Sequence, residues 1–172
     1  YYVRVNFTSL KDVVDAIGGV DVESPRAFKS AVSKYSYEEG INHLDGEEAL
    51  FFARERKAFS DGDQERIKNQ QRVLKGILEK ITGSPAILTG YTQIMGSVGN
   101  EIQTNMTEKD ISSLVKMQLE DIGGWSINSI SIEGKGTYAS TYSMGSRQLY
   151  VAIPDDTSVG EAREAIDELL NK

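Results

Sequence analysis

Apolar residues recur along this chain with two different periods, and each change of period marks a new element. Residues 1–7 alternate and are rich in β-formers, which predicts a strand. Ser9-x-x-Asp12 has the form of a capping box opening a short helix over 10–17, which Gly18-Gly19 ends. Residues 20–22 resume as a short strand. Residues 24–45, with Pro25, Gly40 and many polar side chains, read as an excursion over the surface, and residues 46–52 as a short helix. A long helix is predicted over 63–82, stopped before Gly83-Ser84-Pro85 because a proline disfavours helical backbone in the residue ahead of it. A weaker helix spans 86–98, and Thr107-x-x-Asp110 caps another that runs towards Gly123-Gly124. Residues 125–132 alternate with period two and make the clearest strand, with Trp125 and its isoleucines as sheet core. A loop holding Gly134, Gly136 and Gly145 leads to a strand at 148–153, and Ser158-x-x-Glu161 caps a final amphipathic helix.

This alternation predicts an α/β fold, layered α-β-α, with a central mixed sheet flanked by helices. With 172 residues and 39% apolar content the chain has material for one core, so residues 1–172 are expected to form a single domain. No apolar run is long enough to cross a bilayer and no signal peptide is read. The sequence opens at Tyr1 inside a strand-like run, so the expected domain is incomplete. A formal net charge of −7 argues against nucleic acid as a partner but leaves room for a small anion at a local arginine cluster. Cysteine is absent, which excludes disulfide and thiol chemistry.

The chemistry concentrates between Ala49 and Ile81. Projected at about 100° per residue, Leu74, Ile77, Leu78 and Ile81 of the long helix share one face. Lys68, Asn69, Arg72, Lys75 and Glu79 take the opposite one. Asp63 and Gln70 fall within the apolar stripe and Arg66 at its edge. Buried polar groups are costly unless paired, so this block points to a site rather than to core. Just upstream, Arg54 and Arg56 would diverge by about 200° on a helix but share one side of an extended segment. In the extended geometry both guanidiniums fork onto neighbouring phosphate oxygens, and the start of the long helix offers amides to the same anion. Three arginines, a carboxylate and an amide are the equipment for a pyrophosphate. The plainer alternative stays open: Asp63 as a helix N-cap paired with Arg66, and Arg54 and Arg56 as ordinary surface arginines.

Other candidates are weaker. His43 is the single histidine and falls in a polar loop; without cysteine or a second histidine it makes no structural zinc site, and no nucleophile elbow accompanies it. Gly134-Lys135-Gly136 lacks the remainder of a phosphate loop. Tyr138, Tyr142 and Tyr150 either border a groove or pack. The helices at 86–98 and 107–121 either line a pocket for a lipid tail or form core.

The run from Gly40 to Ile77, with its Leu-Asp-Gly turn, Ala49-Leu50 pair, Arg-x-Arg, Asp63-x-x-Arg66 and Gln70-Gln71, resembles the LytR–CpsA–Psr signature, and residues 5–25 resemble the stretch that precedes it. The match covers about the first 80 residues, and the streptococcal capsule-associated members are most alike. The resemblance implies an envelope glycopolymer phosphotransferase. Such an enzyme moves a glycan-phosphate from a polyprenyl-pyrophosphate carrier to peptidoglycan, attaching capsule or teichoic acid. It also implies Mg²⁺ or Mn²⁺ and the extracytoplasmic face of the membrane, with a membrane anchor N-terminal to the catalytic domain. By motif, Arg54, Arg56, Arg66 and Gln70 would bind the pyrophosphate. Asp63 and Arg66 would serve catalysis, with Asp63 as base, metal ligand or organiser of Arg66. In the family the domain begins upstream, so the resemblance makes this chain a C-terminal portion, expected to be weak or inactive alone. Two other readings compete: a non-catalytic polyprenyl-pyrophosphate-binding module, and a transcriptional attenuator or regulator of envelope genes. The acidic charge and the absence of a helix-turn-helix pattern weigh against the last.

Overall fold

Asn6, not Ser9, starts the first helix. In the computed structural model, which describes residues 1–60, 62–98, 102–120 and 127–171, the Asn6 side chain accepts the Ser9 amide at 2.9 Å and the Ser9 hydroxyl accepts the Asn6 amide at 2.7 Å. This reciprocal box satisfies two orphan donors and opens α1 (Phe7–Ala16). The strand expected over 1–7 therefore shrinks to β1 (Val3–Arg4), which pairs with β6 (Gln103–Thr104). Gly18 and Gly19, at φ of 78° and 85°, end α1 as expected.

β2 (Val20–Ser24) follows, its Val20, Val22 and Ser24 buried and its Asp21 and Glu23 exposed. The predicted surface excursion over 24–45 is instead structured. β3 (Phe28–Lys29) pairs with β4 (Ser36–Tyr37), and β5 (Gly40–Leu44) runs antiparallel to β2 in the register Val20↔Leu44 to Ser24↔Gly40. Aromatic burial is the physical reason. Tyr37 is 2% exposed, and its ring lies 4.8 Å from Phe28 and 5.1 Å from Phe52 between centroids. Its hydroxyl donates to the Glu48 carbonyl at 2.8 Å, and burial raises its pKa. His43 sits on β5, not in a loop, exposed and 2.7 Å from Asp21 across the ladder.

Asp45 caps α2 (Gly46–Arg54) in a box with Glu48, and α2 buries Ala49, Phe52 and Ala53. α3 (Gly62–Thr82) is the long helix. Ser84 caps α4 (Pro85–Thr89), and Gly90 separates it from α5 (Tyr91–Val98), so the helix expected over 86–98 is two. The predicted Thr107–Asp110 box is present and opens α6 (Glu108–Glu120); Gly123 and Gly124 lie outside the described residues. The core gathers Val14, Ile17, Val20, Val22, Tyr37, Leu44, Phe52, Val73 and Ile77, so α1, β2, β5, α2 and α3 share it.

The chain forms two compact units, residues 1–127 and 128–172. In the second, β7 (Gly134–Ser140) pairs antiparallel with β8 (Gln148–Pro154), and α7 (Asp156–Leu170) follows. The predicted loop at 134–145 is thus largely a strand, Gly134 and Gly136 lying inside β7. The strand predicted over 125–132 is absent from residues 127–132, where Ile130 and Ile132 are 42% and 56% exposed; Trp125 lies outside the described residues. Alternation says which side chains share a face, but a strand also needs a ladder, and that ladder forms between β7 and β8. α7 is capped by Asp155, which accepts the Ser158 amide, while the Ser158 hydroxyl accepts the Glu133 amide at 3.0 Å.

The α/β class holds. Among the described residues the strands make four separate two-stranded antiparallel sheets, in place of one central mixed sheet. Strands of two residues, such as β1, β3, β4 and β6, have too few ladder groups to knit a common sheet.

Candidate functional site

Gly76 sets the rotation of α3. A Cβ there would meet the Asp21 carbonyl at 2.5 Å, so α3 lies on β2 with this residue facing it. Counting back three, seven and eleven residues brings Val73, Asn69 and Glu65 to the same side, and all three are buried. The inward stripe is therefore Glu65–Asn69–Val73–Gly76–Ile77, not the Leu74–Ile77–Leu78–Ile81 face predicted from periodicity. Asn69, expected on the solvent face, is 1% exposed; Leu74, expected in core, is 56% exposed. Arg72 neutralises the buried polar pair by donating to Glu65 Oε1 and Asn69 Oδ1. Arg26 reaches Glu65 at 3.6 Å and lies over the Phe59 ring at 4.6 Å.

This rotation turns Asp63, Arg66, Gln70 and Leu74 outward along one flank of α3. Asp63 is in the first turn rather than at the N-cap position. Its Oδ1 lies 3.5 Å from Arg56 and 3.4 Å from Arg66, so one exposed carboxylate oxygen draws two guanidiniums together. At this exposure the pairs contribute little stability, and their consequence is arrangement. Gln70 lines a cavity of about 460 Å³ with Phe7, Leu10, Arg54, Val73 and Leu74. Among the described residues, none of this lining comes from the helices over 86–98 or 107–121.

Arg54 and Arg56 do not share an extended segment. Arg54 is the last residue of α2, where a cation suits the helix C-terminus, and its guanidinium lies 4.7 Å from the centre of the Phe7 ring. Glu55 leaves the helix at φ −66° and ψ 130°. Arg56 then faces Asp63. The structure thus brings Arg56, Asp63 and Arg66 into one cluster and places Arg54 and Gln70 on the adjoining apolar groove.

Two residues of the site escaped sequence reasoning. The alternation of residues 1–7 places Phe7 in a strand; the Asn6-x-x-Ser9 box is the signal that puts it on α1. Glu55 carried no local signal. It is 0% exposed. Its Oε1 accepts the amides of Arg56, Lys57 and Ala58 at 2.9, 2.8 and 3.1 Å. Its Oε2 accepts the Ser30 hydroxyl at 2.7 Å and the Ala31 amide at 2.8 Å. Burial pushes this carboxyl up, but the hydrogen bonds from Ser30, Ala31, Ala58 and Lys57 outweigh it and hold the pKa below its ordinary 4.5. A depressed folded-state pKa stabilises the fold above the unfolded value, and that contribution is lost as pH falls through the folded one. The stability gap between the native chain and Glu55→Gln is therefore expected to be constant above about pH 6 and to shrink below about pH 4. Urea midpoints measured across that range check it; a gap unchanged by acid would refute it.

Comparison with known proteins places the chain. The profile of the LytR_cpsA_psr family matches residues 1–157. The chain belongs to the LytR–CpsA–Psr family. This LytR–CpsA–Psr chain is 30% identical over all 172 residues to the polyisoprenyl-teichoic acid–peptidoglycan teichoic acid transferase TagU of Bacillus licheniformis, covering 52% of that protein. Among solved structures it resembles B. subtilis TagV with 28% identity and a TM-score of 0.73, over 99% of this chain and 63% of that one. It also resembles TagT bound to LIIa-WTA, with 26% identity and a TM-score of 0.70 over 99% and 61%. The chain thus spans about half the length of the TagU relative that it matches from end to end.

Proposed function

We propose that this chain carries the pyrophosphate grip of a cell-envelope glycopolymer phosphotransferase, one that passes a glycan-phosphate from a polyprenyl-pyrophosphate carrier to peptidoglycan. The observation that carries the reading is the convergence of Arg56 and Arg66 on one oxygen of Asp63, continuous along α3 with an apolar groove edged by Arg54 and Gln70. Guanidiniums match phosphate oxygens in fork geometry, and their fixed charge offsets the charge that builds on the leaving phosphate. Phe7, Leu10 and Leu74 give the first carbons of a prenyl chain an apolar surface. Arg54, stacked on Phe7, stands where chain and phosphate meet. In transfer, an acceptor hydroxyl bonds to the phosphorus on the glycan side, its proton passes to water, the bridging P–O bond breaks, and polyprenyl phosphate departs.

Among the three roles open for Asp63, its contacts favour the organiser, since it touches both arginines. Mg²⁺ or Mn²⁺ fits this donor set in one way. Among the described residues no group of three His, Cys, Asp or Glu side chains is placed to cage an ion. A divalent ion held by one carboxylate, with phosphate oxygens and water completing its shell, agrees with hard-cation preferences, and Asp63 would be that carboxylate. Bound there, the ion would neutralise phosphate charge. The relatives' name, teichoic acid transferase, favours teichoic acid over capsule as the polymer and the extracytoplasmic membrane face as the location. Among the described residues no helix is long and apolar enough to cross a membrane.

Calorimetric titration with a polyprenyl pyrophosphate, in Mg²⁺ and in EDTA, tests the reading. Saturable binding that weakens in EDTA is expected. Folded protein with no binding in either condition would remove the pyrophosphate assignment. Binding without transfer, in a chain extended to the length of its relatives, would favour the non-catalytic binding module.

A further inference from the structure

Between the two arginines of the site stands a residue whose side chain points the other way. Glu55 is fully buried, and five donors converge on its carboxylate. Three of them are the successive amides of residues 56–58, so Glu55 closes a small anion nest with its own side chain. The other oxygen is tied to Ser30 and Ala31, on the loop between β3 and β4. The segment that leaves α2 is thereby held to a distant part of the same unit.

Arg56 is held from its other side as well. A Cβ on Gly62 would collide with the Arg56 carbonyl oxygen, so the first residue of α3 seats directly against that carbonyl, and only glycine leaves the room. The Arg56 amide is fixed by Glu55 and its carbonyl abuts Gly62. Its guanidinium, 55% exposed, is left to reach Asp63 from a fixed base. An exposed arginine loses considerable entropy when ordered on a ligand; anchoring its backbone removes part of that cost beforehand.

We propose that Glu55 is a positioning residue: it never touches phosphate, but it sets the backbone from which Arg56 joins Asp63 and Arg66. The inference rests on the reading of this cluster as the pyrophosphate site. Glutamine in its place keeps the volume but replaces one acceptor oxygen with a donor, so at least two of the five donors lose their partner.

A double-mutant cycle separates positioning from a general loss of structure. Affinity for inorganic pyrophosphate with Mg²⁺ is measured by calorimetry for the native chain, Glu55→Gln, Arg56→Ala and the double variant, alongside hydrogen exchange of the amides of residues 56–58. Glu55→Gln is expected to weaken binding about tenfold in the native background, the scale seen when outer-shell partners of bound ions are removed, and less than about twofold once Arg56 is gone. Equal losses in both backgrounds would overturn the proposal, because Glu55 would then act without Arg56. Slow exchange of the three amides, lost in Glu55→Gln, is expected independently of any ligand. Unprotected amides in a native chain that binds pyrophosphate overturn positioning alone. Protected amides in a native chain that does not bind overturn the phosphate reading and positioning with it. If Glu55→Gln does not fold, Ser30→Ala, which removes the hydroxyl that donates to Oε2 and accepts the Val32 amide, enters the same cycle with a smaller loss expected to vanish in the same way.

Discussion

Replacing both Arg54 and Arg56 with alanine is expected to weaken polyprenyl-pyrophosphate binding by at least about a hundredfold while leaving the fold intact. Each removes a guanidinium able to donate charged hydrogen bonds, worth about 1.5–3 kcal/mol apiece, and about 1.4 kcal/mol is a factor of ten. The lower end of that range already gives a hundredfold for the pair, which allows for the screening of exposed groups. The two positions differ in what they lose. Arg56→Ala takes one guanidinium from the Asp63 oxygen and leaves Arg66 alone on it. Arg54→Ala removes the cation over Phe7 at the edge of the apolar groove. Lysine is not expected to restore either, because a point charge neither forks nor stacks as a guanidinium does. Calorimetry with polyprenyl pyrophosphate reads the affinity, and circular dichroism confirms the fold. Unchanged affinity in the double variant would move the anion site elsewhere in the chain.

Phe52→Ala is expected to cost about 3–5 kcal/mol, the range for removing a buried aromatic side chain from a core. Phe52 is 0% exposed, edge-on to Tyr37 at 5.1 Å and 5.5 Å from Phe28. These partners come from β3 and β4, two-residue strands with little ladder of their own, so the cavity opens where packing is the main support. Against a typical total of about 5–15 kcal/mol, that loss is about a fifth or more of the stability of an ordinary domain. Urea unfolding followed by far-ultraviolet circular dichroism measures it. A loss under about 1 kcal/mol would mean that the neighbours collapse into the space and that the aromatic cluster does not anchor α2. Arg54 lies two residues further along the same helix, so this packing also sets where the stacked guanidinium emerges.

Much of the site was legible because its residues are close in sequence. Asp63, Arg66 and Gln70 recur at helical spacing, and any helix through them shows them on one flank. Asp63 and Gln70, which interrupt the predicted apolar stripe, both lie exposed on that flank. The stripe itself was misplaced. Leu74, 56% exposed, lines the outer groove, whereas Glu65 and Asn69 are buried under Arg72. Periodicity finds a face but not which neighbour covers it, and a groove that stays partly open is as apolar in sequence as a core. Glu55 is the extreme case. Its five donors include Ser30 and Ala31, about 25 residues away in sequence, and no local pattern reports a carboxylate filled from that distance.

By itself the sequence determined what depends on bonds spanning three or four residues, together with the family signature. The Thr107–Asp110 box, the glycine pair that ends α1, the extent of α3 and the α/β class all follow from caps, glycine backbone freedom and side-chain period. Tertiary structure alone decided which faces are covered and which strands pair. Gly76 against the Asp21 carbonyl turned α3, the end of α2 separated Arg54 from Arg56, and β7 found its ladder in β8 while residues 127–132 formed no strand. Each of these outcomes is set by a partner well outside the local window, and its energy exists only once the chain has brought that partner into contact.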